Sequence, residues 1–170
     1  MSLVRAFMLA GAGLWWLLAA MPAHADAYAD VQQLLRAGRA QEAQARAEQY
    51  LSSHPRDPQM RYLLGRIQHE TGRSDDALQT FTRLTEDFPE LPEPYNALAV
   101  LHAARGDYEQ ARLALQAALR NNPAYAAAQE NLGDVHAALA RLAYCKAREL
   151  EPGNAAVAAK LERLGASPCP

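Results

Sequence analysis

Gly38, Gly72 and Gly106 stand 34 residues apart, and the series Pro55, Pro89, Pro123 and Ala43, Ala77, Ala111 keep the same step. Leu64-Gly65, Leu98-Ala99 and Leu132-Gly133 form a fourth series with that spacing. Chance does not bring four independent series into register. A fixed period of this length marks stacked supersecondary units, none of which can bury its apolar face alone.

The residue type at each phase of the period describes one unit. In Pro58 to Asp87 a first helix is expected to run to about Glu70 and to stop at Thr71-Gly72, where glycine accepts the left-handed backbone of a helix end. Ser74 or Asp75 is expected to cap a second helix, whose apolar face is Ala77, Leu78, Phe81 and Leu84 at three- and four-residue spacing. Phe88-Pro89 ends it. Glu93 to Asn122 repeats the pattern, with Gly106-Asp107 as the turn and Ala111, Leu115, Ala118 and Leu119 as the apolar stripe. Small residues (Gly65, Ala99 and Gly133 in first helices, Ala43, Ala77 and Ala111 in second ones) are expected where helices approach closely.

These features resemble the tetratricopeptide repeat family, and the chain is read as a small exported bacterial member. The likeness is carried by Leu64-Gly65, Gly72, Ala77, Phe81 and Pro89, and by Tyr95, Leu98-Ala99, Gly106, Ala111, Ala118 and Pro123, and it extends over roughly Ala27 to Pro152. It implies an all-α fold, a right-handed α-solenoid of stacked helix–turn–helix repeats with a C-terminal capping helix. The expected division is a cleaved signal peptide over 1–25, a repeat domain over 26–165 and a tail over 166–170. Within the domain, repeats fall at about 26–57, 58–91, 92–125 and 126–153, with a cap at 154–164.

Two departures from the pattern matter. The first repeat keeps Gly38, Ala43 and Pro55 but has Asp30-Val31 in place of the leucine and glycine, as suits a terminal repeat facing solvent. In the last repeat, Pro123 to Pro152 is 29 residues, five short of the period, and Val135 to Glu151 holds no glycine or proline. One long or kinked helix from about Ala126 to Leu150 is therefore expected, ahead of a very tight turn near Ala140-Arg141. Asn154 can cap a final helix reaching Leu164, with Val157, Leu161 and Leu164 covering the end of the stack.

The N-terminus reads as a secretory signal peptide: Arg5, an apolar run from Ala6 to Met21, Pro22, and the small-x-small site Ala23-His24-Ala25. The run of 16 residues is shorter than the roughly 20 that a membrane-spanning helix needs. A mature chain beginning at Asp26, with no membrane span, is expected. Cleavage removes one basic residue and leaves 16 basic against 19 acidic side chains, a net charge of −3 with histidine neutral. With acids and bases interspersed, this balance disfavours nucleic acid. In an exported chain Cys145 and Cys169 can form a disulfide if the final helix folds back, the alternative being two free thiols.

Neither phosphate-loop motif occurs, no nucleophile signature stands out, and neither enzymatic activity nor a cofactor is expected. His69, His102 and His136 recur on successive first helices, but helices pack about 8–10 Å apart and no acid recurs beside all three. They are read as filling positions where the family often has tyrosine, not as metal ligands.

The family resemblance places a binding groove on the first helices. Carried over by position, its residues are Tyr28, Gln32, Arg36, Tyr62, Arg66, His69, Glu70, Glu93, Asn96, Val100, Glu130, Asn131 and Asp134. Arg36, Arg66 and His69 make one half basic, while Glu93, Glu130 and Asp134 make the other acidic. Such a groove suits a peptide carrying opposite charges in reverse order. The carboxylate clamp of some family members is missing: its places hold Tyr28, Gln32, Leu63, Glu93 and Ala97, or Tyr62, Arg66, Ala97, Ala127 and Asn131. A periplasmic adaptor or scaffold for a protein or peptide partner is the expected role, in envelope assembly, secretion or maturation. A self-associating structural module, such as a homodimer without a separate ligand, is the alternative.

Overall fold

The computed structural model describes residues 23–165 and Cys169, and every regular element among them is helical. The eight helices are α1 (Ala23–Arg36), α2 (Ala40–Ser53), α3 (Pro58–Glu70), α4 (Ser74–Asp87), α5 (Pro92–Ala104), α6 (Tyr108–Asn121), α7 (Ala126–Leu150) and α8 (Ala155–Arg163). The expected export segment lies outside the described residues, apart from Ala23–Ala25 at the start of α1. No helix among the described residues is long and apolar enough to cross a membrane.

The pairs α1/α2, α3/α4 and α5/α6 are the helix–turn–helix units, and each helix packs on the next in chain order. Their turns are tight because Gly38, Gly72 and Gly106 take φ of 71°, 77° and 81°, a region that side chains with a Cβ rarely enter. Proline opens α3 and α5, where the missing N–H has no helical partner to lose. Asn154 caps α8 by accepting the Val157 N–H at 3.2 Å.

Ser74 and Asp75 do not cap α4. Arg73 is the N-cap, with no side-chain cap bond, and its carbonyl accepts the Ala77 N–H at 3.0 Å. The turn at Gly72 is so short that Ser74 is already inside the helix, which leaves Asp75 and Asp76 in the first turn beside the positive end of the helix dipole.

The core follows the repeat. Val31, Ala43, Ala47, Met60, Leu63 and Ile67 join the first unit to α3; Ala77, Phe81, Leu84, Leu98 and Leu101 join α4 to α5; Ala99, Ala111, Leu115, Ala118, Ala128 and Val135 join α5 and α6 to α7. In the second unit, a Cβ built on Gly65 would lie 2.6 Å from the Phe81 ring, so only glycine lets α4 come this close. Ala99 is 1% exposed in the third unit. Gly133 departs from the expectation, since it is exposed and a Cβ there would meet nothing within 4 Å. The cause is α7, which runs unbroken for 25 residues and never folds a second helix back onto its first half.

Polar ties join the first two units. The hydroxyls of Tyr28 on α1 and Tyr50 on α2 both donate to Asp57 Oδ2, the latter at 3.1 Å, while Asp57 Oδ1 accepts the Met60 N–H at 2.9 Å and caps α3. Beyond the last unit, α8 packs on α7, and Cys145 and Cys169 are joined in a disulfide with Cα atoms 5.7 Å apart.

Candidate functional site

The first helices α1, α3, α5 and α7 line one side of the stack. On that side α1 meets α3 and α5 meets α7, whereas the second helices α2, α4 and α6 make no comparable contacts with one another. The stack therefore curves toward its first helices, as in solenoids whose inner face is their binding surface.

None of the thirteen groove residues named from the sequence is fully buried. Gln32, Arg36, Arg66, His69, Glu70, Glu93, Val100, Glu130 and Asp134 are exposed, and Tyr28, Tyr62, Asn96 and Asn131 are half-buried. The structure draws Tyr62, Arg66, Glu93, Asn96 and Asn131 into one neighbourhood. Asn131 Nδ2 donates to Asn96 Oδ1 at 2.8 Å and so ties α7 to α5 across the face. The Tyr62 ring rests on Phe81 with centroids 5.5 Å apart.

Tyr125, in the loop before α7, belongs to the same group, although counting positions within first helices could not find it. Burial raises the pKa values of both Tyr62 and Tyr125, and the Glu93 carboxylate pushes each further up. Arg66 acts in the opposite direction on Tyr62, and the Asn96 amide does so on Tyr125. Two neutral phenols, two linked amides and one carboxylate thus face one another, brought by α3, α5, α7 and the loop before it. The sequence signal that could have found Tyr125 is its place two residues after Pro123, at the joint between units.

Other named residues are engaged elsewhere. The Tyr28 hydroxyl is held by Asp57, 29 positions along the chain, and serves the joint between the first two units. Arg66 pairs with Glu70 at 3.2 Å, which moderates the basic end. Glu93, Glu130 and Asp134 form no ion pair among the described residues, so the acidic end keeps its charge.

The three histidines stand apart. His69 and His136 are exposed, while the His102 side chain is 24% exposed, with Nδ1 3.9 Å from Asp107 Oδ2. Among the described residues no three His, Cys, Asp or Glu side chains are grouped as a metal ion would require.

Comparison with known proteins agrees with the helical repeat fold. TTC0263, a thermophilic TPR protein of Thermus thermophilus, superposes with a TM-score of 0.63 at 27% identity, covering 82% of this chain and 80% of that one. The first TPR of Spaghetti (RPAP3), bound to the HSP90 peptide SRMEEVD, has a TM-score of 0.63 at 15% identity, covering 68% of this chain and 92% of that one. PcrH, in complex with the chaperone binding region of PopD, has a TM-score of 0.57 at 20% identity over 71% of this chain and 92% of that one. At these identities the last two show the fold alone. In sequence, the chain is 33% identical over 92 residues to the probable biofilm formation methyltransferase WspC of Pseudomonas putida. That match covers 54% of this chain and spans 22% of the length of that relative. The tetratricopeptide repeat family model matches residues 28–92 and 96–163, most of the sequence and every helix pair described above, so the chain belongs to the tetratricopeptide repeat family.

Proposed function

We propose that this protein is a periplasmic adaptor that holds a partner polypeptide on the face of its first helices, in cell-envelope assembly, secretion or maturation, and that it performs no chemistry itself. The observation that carries the reading is the group formed by Tyr62, Glu93, Asn96, Tyr125 and Asn131. Amide side chains can both donate to and accept from a peptide backbone, and tyrosines supply rigid apolar area at low entropic cost. The acids Glu93 and Asp134, without an ion-pair partner among the described residues, favour a segment with basic residues at that end. The periplasmic location rests on the N-terminal Arg5, apolar run and Ala23-His24-Ala25 site.

The test is a photo-crosslinking side chain at Tyr62 or Asn96 in protein expressed with its own N-terminus, with exposed Gln79 on α4 as control. A discrete polypeptide captured in the periplasmic fraction from the first two positions and not from the third is expected. Equal capture at all three positions, or none, refutes the assignment of the face. Protein confined to the cytoplasm refutes the location.

A further inference from the structure

In the second repeat, Gly65 is the notch into which Phe81 of the following helix packs, with a built Cβ only 2.6 Å from the ring. Gly133 holds the same place in the first half of α7, and it is bare. The residues that ought to fill it exist. Counted back from the proline that closes each unit, Ala140, Tyr144 and Ala147 correspond to Ala77, Phe81 and Leu84 and to Ala111, Leu115 and Ala118. Those six counterparts are at most 2% exposed, whereas Ala140, Tyr144 and Ala147 are each only half-buried. The fourth unit thus carries both halves of a helix pair on one unbroken helix, and neither half can fold back onto the other.

At about 100° of rotation per residue, Ala126, Gly133, Ala137, Ala140, Tyr144 and Ala147 all fall within an arc of about 80° on α7. Notch and filler therefore lie on the same face. Gly133 is five residues before and Tyr144 six residues after the midpoint of the helix, Ala138. A face that repeats its complement on either side of its own centre meets the self-complementarity required of a two-fold interface.

We propose that α7 of a second copy of this chain lies antiparallel along this stripe, with Tyr144 of each copy seated over Gly133 of the other. Exchange of this kind is a recognised outcome when a hinge is too short for an element to fold back on its own chain. Charge supports the orientation. The first half of α7 carries Glu130 and Asp134, and the second half carries Arg141 and Arg148 beside the Lys146–Glu149 ion pair at 2.7 Å, whose charges cancel. An antiparallel partner sets acid against base, bringing Glu130 beside the partner's Arg148 on the same flank twice over, whereas a parallel partner sets like charges together. Leu150, 77% exposed at the end of α7, comes beside the start of the partner's helix. The disulfide does not obstruct the stripe, because Cys145 points about 120° away from Gly133. From α8, Lys160 places its Nζ 5.2 Å from the Tyr144 ring centroid.

Sedimentation equilibrium of the purified chain, with its disulfide intact, tests the proposal. Twice the chain mass is expected in the micromolar range. Gly133→Leu places its side chain in open space within one copy, so folding survives with an unchanged or higher melting temperature, and the mass falls to that of one chain. Inserting five residues that include a glycine after Leu139 restores the period, lets the second half of α7 fold back on its own chain, and also yields a monomer. Arg148→Glu weakens association and Glu130→Arg added to it restores association. A wild-type chain that stays monomeric up to millimolar concentration overturns the proposal. So does a dimer that persists unchanged in Gly133→Leu, which would place the contact elsewhere.

Discussion

Asp57→Ala should loosen the first repeat from the second without unfolding the rest. The carboxylate makes three contacts: it caps α3 through the Met60 N–H at 2.9 Å, and it accepts the hydroxyls of Tyr28 on α1 and Tyr50 on α2. Loss of an N-cap costs about 1 kcal/mol. Each tyrosine bond contributes about 1 kcal/mol, less than the roughly 1.5–3 kcal/mol of a bond to a charged group, because these groups are only half-buried and water can replace part of the bond. The sum is about 3 kcal/mol, or a factor of about a hundred in the opening equilibrium. The first repeat packs on the remainder through α2 and α1 against α3, so the loss should be local. Native-state hydrogen exchange is the assay: amides of α1 and α2 should exchange about a hundredfold faster in Asp57→Ala, with α5 and α6 unchanged. Asp57→Asn keeps a capping oxygen and loses only the charge, so it should cost about 1 kcal/mol. Burial acts to raise the pKa of Asp57, but the bonds from Tyr28, Met60 and Tyr50 outweigh it and hold the pKa below the ordinary aspartate value. A depressed carboxylate stabilises the fold fully above the unfolded-state pKa of about 3.9, and that contribution disappears as the pH falls through the lower folded value. The acid loss should be present in the wild type and absent from Asp57→Asn. Unchanged exchange in α1 and α2 of Asp57→Ala, or equal acceleration in every helix, would refute this account.

Gly65→Ala gains about 1 kcal/mol of helix propensity but forces the Phe81 ring, 2% exposed, to move against its neighbours, at a cost of about 1–3 kcal/mol. A net destabilisation of about 1 kcal/mol, read from the urea midpoint, is expected, and a stabilised protein would show that α4 can retreat freely. Glu93→Gln removes the charge that raises both Tyr62 and Tyr125, so ultraviolet titration should show both phenols ionising at lower pH, though burial still holds them above an ordinary tyrosine. Phenols that titrate as before would mean that Glu93 does not lie near them.

The helix pairs, their glycine turns and the Asn154 cap were legible because each depends on neighbours within one turn of helix. A single α7 was only partly legible: Val135 to Glu151 offers no glycine or proline for a turn, which favours one helix over a tight turn near Ala140-Arg141 without excluding the turn. Three features were not legible: the Asp57 joint between Tyr28 and Tyr50, the place of Tyr125 beside Glu93 and Asn96, and the failure of Ser74 to cap α4. In each case the answer depends on how the chain curls by a few ångströms at a turn, which residue type alone does not specify.

Gly133 marks the same boundary most sharply. Its place in the 34-residue series is read from the sequence, and so is its small size, suited to a close helix contact. Whether a second helix comes to meet it was decided only in three dimensions. Periodicity records which face of each helix is apolar, because burial selects side chains one at a time along the chain. Whether the chain turns back or runs on determines which apolar faces find a partner, and the unbroken continuation of α7 leaves this one open.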